Sequence, residues 1–594
     1  MKQGYPQSWD LDVFYEGGSS SAAFQEELKG LDVDIAKLAA ALSGENSTSA
    51  SDIAAMTELL QSVIIRLRQS ESFVSCLLAQ DIKDSAANAR GDRVKTLGAK
   101  LLGVLTRFDN GLRGMDDPEW SKLLEHEKLA EVAFSLAERR ELAKQKMAPE
   151  LEALAGDLAV DGYHGWGDYY NVIVSRAKFT EVGKDGKKNI LSAGQMHNRL
   201  SDGDREVRKA AFAEWEREWS EQADLCAETL NRISGFRLKL YGKRGWESVL
   251  QEPLQMNRMS EATLQAMWDA IQESKQVLVR YLERKAKLLG VEKLDWHDVE
   301  APIGSATKII PYDEAAAFIV EQFRSFSPEL ADFSEMAFRE GWIEAEDRPG
   351  KRPGGFCTAF PKSGQTRIFM TYSGSASNIS TLAHELGHAY HQHVMNDLPA
   401  LSQEYAMNVA ETASTFAELI VSDRALKAAV DPEEKLGLLE DKIQRSVAFF
   451  MNIHARFLFE TRFYARRSEG LVPVEELNAL MEEAQREAYC DMLGEAHPHF
   501  WASKLHFYLT DVPFYNFPYT FGYLFSAGIY AKALKEGPDF KNQYVALLRD
   551  TGRMSVEQLA EAHLGVNVEE KDFWQEAVAL TAVDVEQFIQ MTNE

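Results

Sequence analysis

The chain has 594 residues, 45% of them hydrophobic and 26% charged, with a formal net charge of −27. That size and balance fit a soluble globular protein with room for more than one lobe, and the acidity argues against nucleic acid or any other phosphate-backbone partner. No apolar run reaches the roughly 18 residues that a membrane span needs, and the opening "MKQGYPQSWDLDVFYEGG" has neither the apolar segment nor the cleavage site of a secretory signal.

The chain reads mostly helical. "TELLQSVIIRLRQSESFVSCLLAQ" and, further on, "ATLQAMWDAIQESKQVLVRYLERKAKLLG" place apolar residues three and four apart. Breaks are expected at "EGGSSSAAF", at 43–51 and at 184–189. A domain boundary is placed near 190–200, giving an N-terminal helical lobe, 1–195, and a second domain, 196–594. The second opens on "SDGDREVRKAAFAEWEREW", which reads as a helix with a Ser cap, an acidic first turn and a solvated charged face. The four cysteines, Cys76, Cys226, Cys357 and Cys490, are scattered without a CxxC pair, so a reducing cytoplasm is expected. Cys357 reads as a buried structural thiol.

One segment, 352–374, breaks the helical pattern. Its two β-prone runs, "GFCTAF" and "TRIFMTY", are joined by "PKSGQ" and read as a hairpin. It is either structural decoration or an exposed edge on which an extended peptide backbone pairs.

Directly after it, "STLAHELGHAYHQHV" puts four of the 13 histidines into ten residues. On a helix His384 and His388 share one face about a turn apart, with Glu385 beside that face. HExxH is the zinc-hydrolase arrangement: two imidazole ligands and a carboxylate able to take a proton from a water. Three ligands from two turns of one helix cannot easily surround a tetrahedral ion, so His391 and His393 read as packing or supporting groups. The third ligand is sought on "SQEYAMNVAETASTFAELIVSDRAL", expected as a helix from about 402 to 426 that returns antiparallel. Glu411, flanked by Ala410, Ala413 and Ser414, comes level with the HExxH turns, whereas Glu404 sits nearer the loop. Glu418 either accepts the outer N–H of a ligand histidine or is a solvated carboxylate. A stretch dense in His and Tyr, 497–530, places Tyr515, Tyr519 and Tyr523 at four-residue spacing, which by itself favours core packing.

These residues carry a likeness. "WDLDVFY", "DREVRKAAFAEWE", "GKRPGGFCTAF", "HELGHAYH", "AETASTFAE" and "FYNFPYTFGY" resemble the oligoendopeptidase F family of zinc metallopeptidases, relatives of thimet oligopeptidase and neurolysin, over nearly the whole chain. The resemblance implies a mainly α, two-lobed zincin-like fold with a deep channel and a small hairpin or sheet beside the active site. It implies cleavage of short oligopeptides with one Zn²⁺ held by His384, His388 and Glu411, Glu385 as general base and Glu418 behind the metal. It further implies that His506 with Tyr515 and Tyr519 stabilises the oxyanion, Tyr508 and Tyr523 being the competing tyrosines, and that Gly355 and Phe356 lie along the substrate backbone. Two other classes stay open, a non-peptide amide hydrolase and an inactive peptide-binding protein. The sequence sets neither the oligomeric state nor the choice of zinc over cobalt or manganese.

Overall fold

The computed structural model describes residues 4–42, 49–183, 186–303 and 309–593; of the expected breaks, 43–48 and 184–185 lie outside the described residues. The chain forms two compact units of interleaved segments. The first comprises Met1–Lys146, Thr307–Arg424 and Lys532–Gly565, and the second Met147–Ala306, Ala425–Ala531 and Val566–Glu594. The division expected at 195 therefore falls inside one segment of the second unit. The reason is tertiary: the N-terminal helices pack with residues some 300 positions later, as when Ser135 Oγ donates to Leu401 O (2.7 Å) and Gln69 Nε2 to Ser363 Oγ (2.8 Å).

In the first unit, α1 (Ala22–Ala41) is capped by Ser21 and buries Phe24, Leu28, Leu31, Ile35 and Leu38, one stripe at helical spacing. It packs with α2 (Ala50–Gln80) and α3 (Ser85–Arg113). Trp9, Leu11 and Tyr15 of "WDLDVFY" sit in the same core as Phe360 and Phe369.

The second unit holds a small antiparallel pair, β1 (Phe179–Val182) and β2 (Lys188–Leu191), and the long helix α4 (Arg205–Arg244). The cap of α4 is Asp204 rather than a serine. Its charges are not all solvated. Arg208 is 1% exposed and reaches His297 O (3.0 Å) and Asp298 Oδ1 (3.1 Å), because a buried guanidinium needs acceptors.

The expected hairpin is present in the first unit as β4 (Phe356–Phe360) and β5 (Gln365–Phe369), but it does not stand alone. A short strand, β3 (Ile343–Glu344), adds in parallel to β5, giving the order β3-β5-β4 and leaving β4 at the edge. The sheet is anchored by aromatic packing: Phe356 stacks on Phe369 (5.3 Å between centroids) and Phe14 on Phe360 (3.8 Å).

Candidate metal centre

The HExxH residues lie on α5 (Ala376–Met395), which is capped by Ser375 accepting from Asn378 N. The His384 and His388 rings stand 4.9 Å apart, almost perpendicular at 84°. The next helix, α6 (Met407–Ala428), passes over Gly387. A Cβ at residue 387 would lie 2.5 Å from Ala413 O and 2.6 Å from the Ser414 Cα, so no side chain fits there. This approach brings Glu411 level with the imidazoles. Its Oε2 is 3.2 Å from His384 Nε2 and 3.5 Å from His388 Nε2, and Ser414 Oγ donates to the same oxygen (2.8 Å). Glu418 Oε2, two turns on, lies 3.4 Å from His384 Nδ1. With a proton on Nδ1 facing Glu418, the Nε2 lone pair of His384 is turned toward Glu411.

Electrostatics favour a cation at this point. Burial opposes a charged His384, yet hydrogen bonds to Glu411 and Glu418 outweigh it and push the imidazole up to about 10. Burial likewise opposes the Glu411 carboxylate, but His384 and His388 hold it far below the usual range. Glu385 differs: only 7% exposed, with Oε2 lacking a hydrogen-bond partner among the described residues, it has its pKa raised, chiefly by burial. A raised carboxylate aimed at a site is suited to accept and release a proton.

The other sequence candidates separate cleanly. Glu404 belongs to a loop, not to α6, because Arg68 (2.9 Å) and Arg139 (3.7 Å) draw it away; the helix expected from 402 starts at Met407. His391 is buried against Leu548 O (3.1 Å) and Thr551 Oγ1 (2.9 Å), and His393 packs on Phe333. Cys357 is half-buried in the wall of a cavity of about 440 Å³ that also contains His384, Glu385, His388 and Glu411. Tyr405 and Gln392 line the same cavity. Neither stands out in the sequence; Tyr405 becomes visible only through its stacking on His391, 4.4 Å away.

Gly355 lies against the base: a Cβ there would be 3.7 Å from Glu385 Oε1. Phe356 requires a correction. Ile368 N donates to Trp342 O (3.0 Å) and Met370 N to Glu344 O (2.9 Å), so both face β3. By antiparallel alternation Arg367 and Phe369 face β4, and their partners Thr358 and Phe356 face β5. The backbone turned outward at the edge is therefore that of Gly355, Cys357 and Ala359, not of Phe356.

A second acidic group with a histidine, Asp295, His297 and Glu495, occurs among the described residues. There Asp295 is already engaged by Arg205 Nη2 at 2.9 Å, so a cation would compete with a guanidinium. At the other group, the Glu411 oxygen faces the two imidazole nitrogens and the Ser414 hydroxyl.

In the second unit, His506 forms a ring cluster with Tyr515 (5.4 Å) and Tyr519 (6.0 Å), themselves 4.9 Å apart. Burial, with Arg456 and Lys504 nearby, lowers His506 to about 4, so its ring is neutral near pH 7. Tyr515 precedes α7 (Phe517–Glu536), so the four-residue stripe is not one helix face. Phe514 takes φ 53° just before it, and Asn516 just after it donates to Glu460 (2.6 Å). Tyr508 stacks on Tyr170 (3.7 Å) and donates to Trp501 O (3.2 Å), while Tyr523 stacks on Phe449 (4.6 Å) beside Ser446 (3.0 Å).

The pattern defining Peptidase family M3 matches residues 199–580, more than half of the chain, and that of Oligopeptidase F matches residues 112–179. The chromosomal oligoendopeptidase F of Lactococcus lactis subsp. cremoris is 27% identical over 408 residues, 66% of this chain and 65% of that one. An oligoendopeptidase F homolog of Lactococcus lactis subsp. lactis is 23% identical over 96% of this chain and 95% of its own length. Among solved structures, a chain from Chlamydophila abortus superposes with a TM-score of 0.85 at 18% identity, covering 99% of this chain and 100% of that one. Oligoendopeptidase-F from Enterococcus faecium gives 0.72 at 20% identity, covering 96% and 99%. The chain belongs to Peptidase family M3 and is a metalloendopeptidase.

Proposed function

We propose that this metalloendopeptidase is zinc-dependent, works in the cytoplasm and cleaves short oligopeptides, with His384, His388 and Glu411 as metal ligands. The observation that carries the reading is the donor spacing. A tetrahedral ion with ligands at about 2.0–2.2 Å sets them about 3.3–3.6 Å apart, and the Glu411 oxygen stands 3.2 and 3.5 Å from the two imidazole nitrogens. Zinc, when bound, supplies a positive charge that acidifies water and polarises a carbonyl. Glu385 takes the proton of the attacking water and delivers it to the leaving amine, two transfers that its raised pKa favours. Glu418 holds the His384 tautomer. His506, Tyr515 and Tyr519 are assigned as donors to the developing oxyanion, a role supported by the cluster their rings form. The free cysteines fit a reducing compartment, and no helix among the described residues is long and apolar enough to cross a membrane.

The test pairs metal analysis with cleavage of a quenched fluorescent nonapeptide. One zinc per chain, activity abolished by a chelator and restored by zinc, and loss of both metal and turnover in Glu411→Ala are expected. Undiminished cleavage by metal-free protein would refute the assignment.

A further inference from the structure

The edge of β4 is interrupted. Gly355 and Cys357 turn their backbone groups outward beside Glu385, but at Ala359 the outward carbonyl already accepts from Ser72 Oγ of α2 (2.6 Å). A peptide pairing along this edge must leave the strand there. At that point a second cavity, about 720 Å³, opens, sharing Ala359, Gln392 and Tyr405 with the metal cavity.

The charged side chains of this second cavity are Arg68, Glu71 and Glu404. Arg68 is committed to Glu404 at 2.9 Å. Glu71 is exposed into the cavity, and among the described residues no cation is ion-paired with it. The wall thus carries a carboxylate with no ion-pair partner among the described residues; burial raises its pKa, and the nearby Arg68 guanidinium offsets part of that rise.

We propose that this cavity is a substrate subsite in which Glu71 selects a lysine or arginine side chain on the N-terminal side of the scissile bond. The inference rests on the peptide-cleaving function proposed above. Antiparallel addition, the slightly more stable pairing, sets the N-terminal part of the substrate against the Ala359 end of the strand. The four residue steps from Gly355 to Ala359 span about 13 Å, which puts the selected side chain three or four residues before the bond. Ser72 is a positioning residue, ending the pairing so that the chain turns into the cavity.

The test uses the full-length holoenzyme and nonapeptides that differ only by Lys or Gln, placed in turn at each position. The Lys-to-Gln ratio of kcat/KM is measured for wild type, Glu71→Gln and Glu71→Lys. In the wild type a ratio of roughly tenfold is expected three or four residues before the bond, the scale of one charge-assisted hydrogen bond. It should fall to about one in Glu71→Gln and below one in Glu71→Lys. Equal ratios in wild type and Glu71→Gln, or a Lys preference confined to residues after the bond, overturn the subsite while leaving the peptidase reading intact. A wild type that cleaves no peptide of either series overturns both.

Discussion

In the pair α5–α6 the imidazoles of one helix meet carboxylates of the other, whereas in the segment 497–530 the tyrosines are held by rings. His384 meets Glu411 and Glu418 from α6, and the two backbones touch where Gly387 passes Ala413. In the aromatic segment Tyr515 and Tyr519 lean on His506, while Tyr508 and Tyr523 are taken up by Tyr170 and Phe449. A helix pair fixes side chains through backbone geometry, which a single glycine can set. A ring cluster is decided by whichever partners arrive, and sequence spacing says little about them.

The largest expected effect lies on the helix pair. Glu385→Gln should lower kcat by about 10²–10⁴-fold while zinc content stays at one per chain; wild-type turnover in this variant would remove Glu385 from its assigned role. The aromatic segment comes next. Tyr515→Phe or Tyr519→Phe should cost up to about 10²–10³-fold in kcat, the scale of one lost oxyanion donor. Tyr508→Phe should leave kcat nearly unchanged and cost about 1 kcal/mol of stability, read by denaturant unfolding. Equal kinetic losses at 508 and 519 would erase the distinction drawn between cluster and core. The remaining effect is geometric: Gly387→Ala should destabilise the protein by about 1–3 kcal/mol, because Ala413 O lies 2.5 Å from the added Cβ and must move. It should weaken zinc binding with it, as seen in a chelator competition, since the same contact sets the height of Glu411.

Much of the helix pair is legible in the sequence. The period of the α-helix puts His384 and His388 on one face, and the small residues around Glu411 mark where a second helix can approach. What the sequence hides are contacts between distant segments. Glu404 leaves its helix for Arg68, 336 positions earlier. The N-terminal helices join the unit of the HExxH helix rather than forming a lobe of their own, and Ser72 closes the end of a strand 287 residues away. Strand register hides too: which residues face outward at β4 follows from β3, a two-residue strand without a sequence signature of its own. Tyr515 misleads for a local reason, since the turn at Phe514 ends the spacing argument before α7 begins.

The most direct measurement is anomalous diffraction at the zinc edge from crystals of the zinc-reconstituted, active protein. The account predicts one strong peak about 2.0–2.2 Å from His384 Nε2, His388 Nε2 and a Glu411 carboxylate oxygen. A peak at other residues, with the Glu411 side chain turned away from both imidazoles, would contradict it.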